Sequence, residues 1–183
     1  ASVVYRGQSR NGWEGHSSFT YNGANNASWN RNIYIYFDPD LDTVSVERNV
    51  TFAVSQAGVT FSSTGSFGPK DTTDTDTLNL TLGGAGNLSI SGAGGVLGNG
   101  SALCHLEKTG SGTLTLSSSG NTFNGALEIT SGKLLVDASS SVNSCSDITV
   151  GSGSTTAIFE YASTAGLNRA VTVNSGSTFI YSS

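Results

Sequence analysis

The chain has 183 residues, of which only 11% are charged, and carries a net charge of −5. Its eight Lys and Arg are scattered singly, which leaves no basic stripe to neutralise phosphates and argues against nucleic acid as a partner. No apolar run approaches the roughly 18 residues that cross a bilayer, so no transmembrane segment is expected, and 36% hydrophobic residues in regular alternation argue against disorder.

Residues 1–43 differ from the rest. Trp13 and Trp29, the two tryptophans, fall here with Tyr5, Tyr21, Tyr34 and Tyr36, four of the six tyrosines. Ile33, Ile35 and Phe37 alternate with Tyr34 and Tyr36, the pattern of a strand with one buried face. The segment reads as an aromatic-rich N-terminal cap over the first layer of a stacked fold, because an open edge strand recruits other chains. The alternative is a carbohydrate-binding platform in which Trp13, Trp29 and Tyr36 stack on sugar rings; the cap is preferred, since aromatic clusters usually fill cores. The chain begins at Ala1 and contains no Met, as expected of an exported protein whose signal peptide has been removed.

Asp38, Asp40 and Asp42 form a D-x-D-x-D run like the start of a calcium loop and are the candidate metal ligands. Thr43 stands where a Gly belongs, however, and Asn49 where the bidentate Glu belongs. Asp71, Asp74 and Asp76 make a second acidic group in a Thr-rich stretch. Both read more simply as solvated turn carboxylates, and no cofactor is expected.

The second half of the chain carries a ruler. Ser91-Gly92, Ser111-Gly112, Ser131-Gly132, Ser152-Gly153 and Ser175-Gly176 follow one another at steps of 20, 20, 21 and 23, with Ser119-Gly120 off the interval. Short alternating segments flank them: Leu88 to Ile90, Thr113 to Leu116 and Lys133 to Val136. One strand-turn-strand unit buries too little to fold alone, whereas stacked units pair every backbone edge around a continuous core. Glycine supplies positive φ and Ser bonds its neighbouring backbone, so the pair suits a corner repeated in every coil. Residues 44–183 are therefore expected to form six or seven coils of an all-β solenoid.

Cys104 and Cys145 are separated by two marks of the ruler. Two layers of roughly 4.8 Å exceed the Cα separation of a disulfide unless residues 139–146 loop out, so a bond and a pair of small buried thiols stay equally open. His105 alternates with apolar neighbours and reads as an outward strand residue. G-x-S-x-G is absent, and neither His16 nor His105 has a patterned acidic partner.

From Gly110 to Val136 the residues Gly110, Gly112, Leu114, Thr115, Leu116, Asn121, Phe123, Gly125, Ile129, Gly132, Leu134 and Val136 fall in a pattern that resembles the autotransporter-associated β-strand repeat of bacterial secreted and surface proteins. The resemblance implies a right-handed parallel β-helix exported by Gram-negative bacteria, acting as a stalk, adhesin or matrix component without catalysis of its own. Its expected partners are other copies, through the solenoid ends or the cap, and a surface glycan or host ligand. Two other classes compete: a polysaccharide-active, lyase-like β-helix using an acidic calcium cluster beside Arg48 or Arg169, and a carbohydrate-binding module built on the aromatic residues named above.

Overall fold

Apolar and polar residues alternate with period two along most of the chain, and each such run becomes a strand with one face inward. A computed structural model describes residues 4–7, 16–30, 32–37, 47–69, 77–98 and 102–182, with no helix among them. Trp13, Asp38, Asp40, Asp42 and the acidic group at Asp71, Asp74 and Asp76 lie outside the described residues, as does the side chain of Tyr36.

In chain order the strands are β1 (Val4–Gly7), β2 (His16–Tyr21), β3 (Ala27–Trp29), β4 (Ile33–Phe37), β5 (Glu47–Val54), β6 (Thr60–Ser63), β7 (Phe67–Pro69), β8 (Thr77–Gly84) and β9 (Asn87–Ile90). They continue with β10 (Cys104–Thr109), β11 (Thr113–Leu116), β12 (Leu127–Ile129), β13 (Gly132–Val136), β14 (Ile148–Val150), β15 (Ala157–Tyr161), β16 (Val171–Val173) and β17 (Thr178–Tyr181). Every pairing between them is parallel, and the chain visits the sheets in turn. One seven-stranded sheet runs β2, β5, β8, β10, β12, β14, β16, and the other runs β3, β6, β9, β11, β13, β15, β17. A short third sheet, β1-β4-β7, closes a further side of the first coils. This is the strand order of a solenoid, with six coils between Glu47 and Tyr181 and one more before them.

Residues 16–37 are built into the same sheets. β2 pairs with β5 from His16 opposite Asn49 to Tyr21 opposite Val54, and β3 pairs with β6. These strands thus continue the sheets on the near side of β5 and β6, and the filling changes along the stack. The early coils are long, Asn49 returning in register only at Asn79, and aromatic rings occupy their cross-section. Phe52 lies 5.0 Å from Phe19, 5.2 Å from Phe61 and 5.3 Å from Phe67 between ring centroids. The coils then shorten: Thr81 returns in register at Glu107, and Leu106 already at Leu127. Leucine, isoleucine and valine fill these smaller coils: Leu82, Leu114, Leu116, Leu127, Ile129, Leu134 and Val136 are all fully buried. Aromatic columns return at the far end, where Phe159 stacks on Phe179 and Tyr161 on Tyr181.

From about residue 106 onward the coils are shorter but not of one length, since Leu114 returns in register at Leu134, Leu134 only at Phe159 and Phe159 at Phe179, and one mark of the ruler is misplaced. Ser111-Gly112, Ser131-Gly132, Ser152-Gly153 and Ser175-Gly176 all lie in the corner between the two large sheets, but Ser91-Gly92 follows β9 and occupies the next corner. Its counterpart in the first corner is Ala85-Gly86: a Cβ on Gly112 would stand 1.8 Å from Gly86 O. Ser119-Gly120, off the interval in sequence, stacks over the Gly92 corner, with a Cβ on Gly120 meeting Ala93 O at 2.1 Å.

Asparagine ties the coils together where strands end. Side-chain oxygens of Asn26, Asn87 and Asn124 accept from the main-chain N–H of Thr60, Thr113 and Cys104 in adjacent coils, at 2.8, 2.9 and 2.9 Å. Asn121 is buried and reaches three coils: its Oδ1 accepts from Val96 N at 2.9 Å while its Nδ2 donates to Ser118 O, Ser140 Oγ and Ser141 O. Asn121→Ala strands the Val96 N–H and is expected to cost on the order of 3 kcal/mol in urea unfolding. Leu116→Asp and Ile129→Asp each bury an unpaired charge and are expected to abolish the β-sheet circular dichroism signal altogether.

Candidate functional site

The outer face of the β2 to β16 sheet is where side chains gather over solvent. Because alternate residues point outward, the register aligns Asn49, Asn79 and His105 in one row, and Thr51, Thr81, Glu107, Glu128, Thr149 and Thr172 in the next. These two rows border an open groove of about 400 Å³. Asn79 Nδ2 donates to Asn49 Oδ1 at 2.9 Å, a ladder step between neighbouring coils. His105 Nδ1 accepts from the Ala126 N–H at 2.9 Å, which assigns the proton of the neutral ring to Nε2. Thr81 Oγ1 lies 3.5 Å from Glu107 Oε2, and Glu107 and Glu128 stand directly opposite one another on adjacent strands.

These groups can bind but are poorly arranged for chemistry. The lone pair of His105 is committed to a main-chain N–H, so the ring presents only a donor. Among the described residues no three His, Cys, Asp or Glu side chains converge to hold a metal ion. What the groove offers is a mixed set of donors and acceptors repeating at the strand spacing, roughly 4.8 Å.

Of the residues singled out in the sequence, Trp29, Arg48, Arg169, Cys104 and Cys145 are described, and none of them lines this groove. Trp29 sits opposite Ser63, a buried position, and its ring packs on Phe61 at 5.9 Å. It is partly buried and packs against the filling of the first coil. Arg48 is buried on β5, in the inward column with Leu78 and Cys104, which withdraws it from any surface cleft. Arg169 Nε donates to Cys145 O at 2.7 Å. Cys104 and Cys145 are both buried and free. Gly125 N donates to Cys104 O and Ser146 N donates to Gly125 O, so a whole coil lies between the two cysteines.

Lys108 escaped the sequence reading. Its parity was the available signal: Cys104, Leu106 and Lys108 alternate with His105 and Glu107, so the strand that turns His105 outward turns Lys108 inward. The residue is fully buried, opposite Leu82 on one side and Ile129 on the other. Burial pulls its ammonium down from 10.5 to about 8. Burial pushes the thiol of Cys104 up from 9.0 to about 12. It does the same to Cys145, to about 11, with Asp147 adding to the rise and Arg169 opposing it.

The signs of these shifts differ. Between pH 8 and 10.5 the unfolded chain holds a proton that folded Lys108 has released, so stability rises with pH; above pH 9 the unfolded thiols ionise first and stability falls. Urea unfolding is therefore expected to show a gain in stability from pH 8 to 9 that Lys108→Met removes. On the outer face, like charges in register repel, so Glu128→Gln is expected to stabilise the fold by roughly 0.2–1 kcal/mol at low ionic strength. The gain should vanish in 1 M NaCl, where the Debye length is about 3 Å.

Residues 106–136 match the family model of the passenger-associated-transport-repeat, a span running from β10 through β13 and including the Gly110 to Val136 segment that carried the resemblance. No curated protein and no solved structure matches the chain. The chain thus contains one repeat of the kind associated with autotransporter passengers, placed on the most regular coils of the stack.

Proposed function

We propose that this chain is a non-catalytic structural or adhesive β-solenoid, wound as a right-handed β-helix. It is secreted or displayed at the cell surface of a Gram-negative-type bacterium as a building block of a fibre, stalk or matrix. The observation that carries this reading is the unbroken parallel register of two seven-stranded sheets around a largely apolar interior, with the passenger-associated repeat lying within it. Continuous backbone pairing along an axis resists local opening and proteolysis, which is what a stalk requires and what a catalytic cleft does not. Residues 1–43 serve as the cap in this reading, with Trp29 and Tyr21 packed on Phe61 of the next coil.

At the opposite end β16 and β17 pair on one side only, and the inward-facing Val173 and Tyr181 are 43% and 50% exposed. A further coil, of the same polypeptide or of a second copy, would cover them and continue both sheets, and this is the route of assembly we favour. The outer groove supports a second reading, a glycan contact, because its Asn79, His105 and Glu128 present donors and acceptors to a polyhydroxylated chain.

Electron microscopy of the purified protein, with sedimentation, is expected to show rods or end-to-end filaments that lack polysaccharide-degrading activity. Turnover of an anionic polysaccharide that stops on adding chelator would overturn the structural reading. A glycan array separates the second reading from the first: binding lost in Glu128→Gln or His105→Ala supports a groove contact, and a blank array removes it.

A further inference from the structure

We propose that the corner between the two large sheets, at Thr109, Gly110 and Ser131, is a cation site built from main-chain oxygens, and that the Lys108 ammonium is its resident, tethered ion. Lys108 Nζ donates to Thr109 O at 2.6 Å, Gly110 O at 2.8 Å and Ser131 O at 3.1 Å. An ammonium has three protons, and each has its own acceptor.

The column that holds Lys108 shows how unusual the choice is. Its other members in register, Phe19, Phe52, Leu82, Ile129, Val150 and Val173, are all apolar. No carboxylate is buried among the described residues, and Lys108 makes no ion pair there, so main-chain dipoles alone answer its charge. A lone ammonium in such an interior would be expelled or neutralised; three oriented carbonyls make it tolerable.

The oxygens converge because the corner is made of left-handed glycines. Gly110 has φ of 72° and Gly132 φ of 67°. A Cβ on Gly132 would lie 2.2 Å from Gly110 O, 2.6 Å from Gly112 O and 2.8 Å from Lys108 Nζ. Stacking therefore brings the carbonyl oxygens of one coil close beneath the turn of the next, and the ammonium bonds two of one coil and one of the other. Later corners meet the same need with neutral donors: Asn174 Nδ2 donates to Gly151 O, and Thr155 Oγ1 donates to Thr130 O. Lys108 alone among these serves both coils at once, and it does so inside the segment 106–136 that matches the passenger-associated repeat.

Truncating Lys108 to Ala removes a propylammonium and leaves a cavity of that shape with the oxygens at its far end. Lys108→Ala is expected to melt well below the wild type and to recover a substantial part of the loss in n-propylammonium chloride. Equal concentrations of 1-propanol or of NaCl should not restore it, since one lacks charge and the other lacks the chain that fills the cavity. If Lys108→Ala is unfolded without additive, return of the β-sheet spectrum in n-propylammonium alone reads the same way. Equal rescue by 1-propanol, or no rescue by any of the three, overturns the proposal. In the wild-type protein, 15N NMR at pH 7 is expected to show a charged Lys108 amine whose protons exchange far more slowly than those of Lys133, which lies on the outer face paired to Glu160. A neutral Lys108 amine, or one exchanging as fast as Lys133, also overturns it.

Discussion

Parallel register between successive coils is the constraint on which the rest depends. A parallel strand pair offers no short hairpin connection, so each coil must travel round the axis and return to the same place one strand spacing further on. Every side chain then sits above a counterpart in the previous coil, and an error in one coil propagates to its neighbours. The molecule answers with columns of like residues: Phe61, Leu88, Leu114, Leu134, Phe159 and Phe179 stand over one another in one sheet, and Val50, Leu80, Leu106, Leu127 and Ile148 in the other. Each column is apolar because no water reaches it, and it is continuous because no coil can bury its inner face alone.

The corners are where this constraint is hardest to satisfy, and there the chain spends its glycines and asparagines. Turning from one sheet to the next brings main-chain oxygens of consecutive coils within reach of any Cβ, which explains why Gly84, Gly110 and Gly132 stack with positive φ. The turns also leave N–H and C=O groups that no ladder supplies with partners. Side-chain amides of Asn87, Asn121 and Asn124, hydroxyls of Ser144 and Ser163, and the Lys108 ammonium reach across to the neighbouring coil to fill those positions. The polar composition of the chain thus belongs as much to the inside of its corners as to its surface. An abundance of Ser, Thr and Asn that looks like solvation in one dimension becomes cross-bracing in three.

The outer face follows from the same register. Rows of side chains form whether or not they have a use, because alternate residues must point somewhere, and Glu107 and Glu128 meet only because Leu106 and Leu127 have to stack beneath them. Function on such a surface is therefore a matter of which residues are placed in a row already made by the core.

The all-β class and the inward places of apolar residues such as Leu116 and Ile129 were legible in the sequence, because alternation with period two is local and each strand carries its own record of which face is buried. The Ser-Gly corners were legible in the regular coils for the same reason, since a tight turn leaves a short signature. Coil length was not, because it depends on how many sides a coil has, and only pairing reveals the third sheet at β1, β4 and β7 that lengthens the early coils. That is why Ser91-Gly92 looked like a member of the series while Ala85-Gly86, lacking the serine, did not. Arg48 was a candidate for a surface cleft only until register set it opposite Leu78, in a column that faces inward. Lys108 is the sharpest case: its parity could be counted along the strand, but the oxygens that make its burial tolerable come from two consecutive coils, and only stacking brings them together.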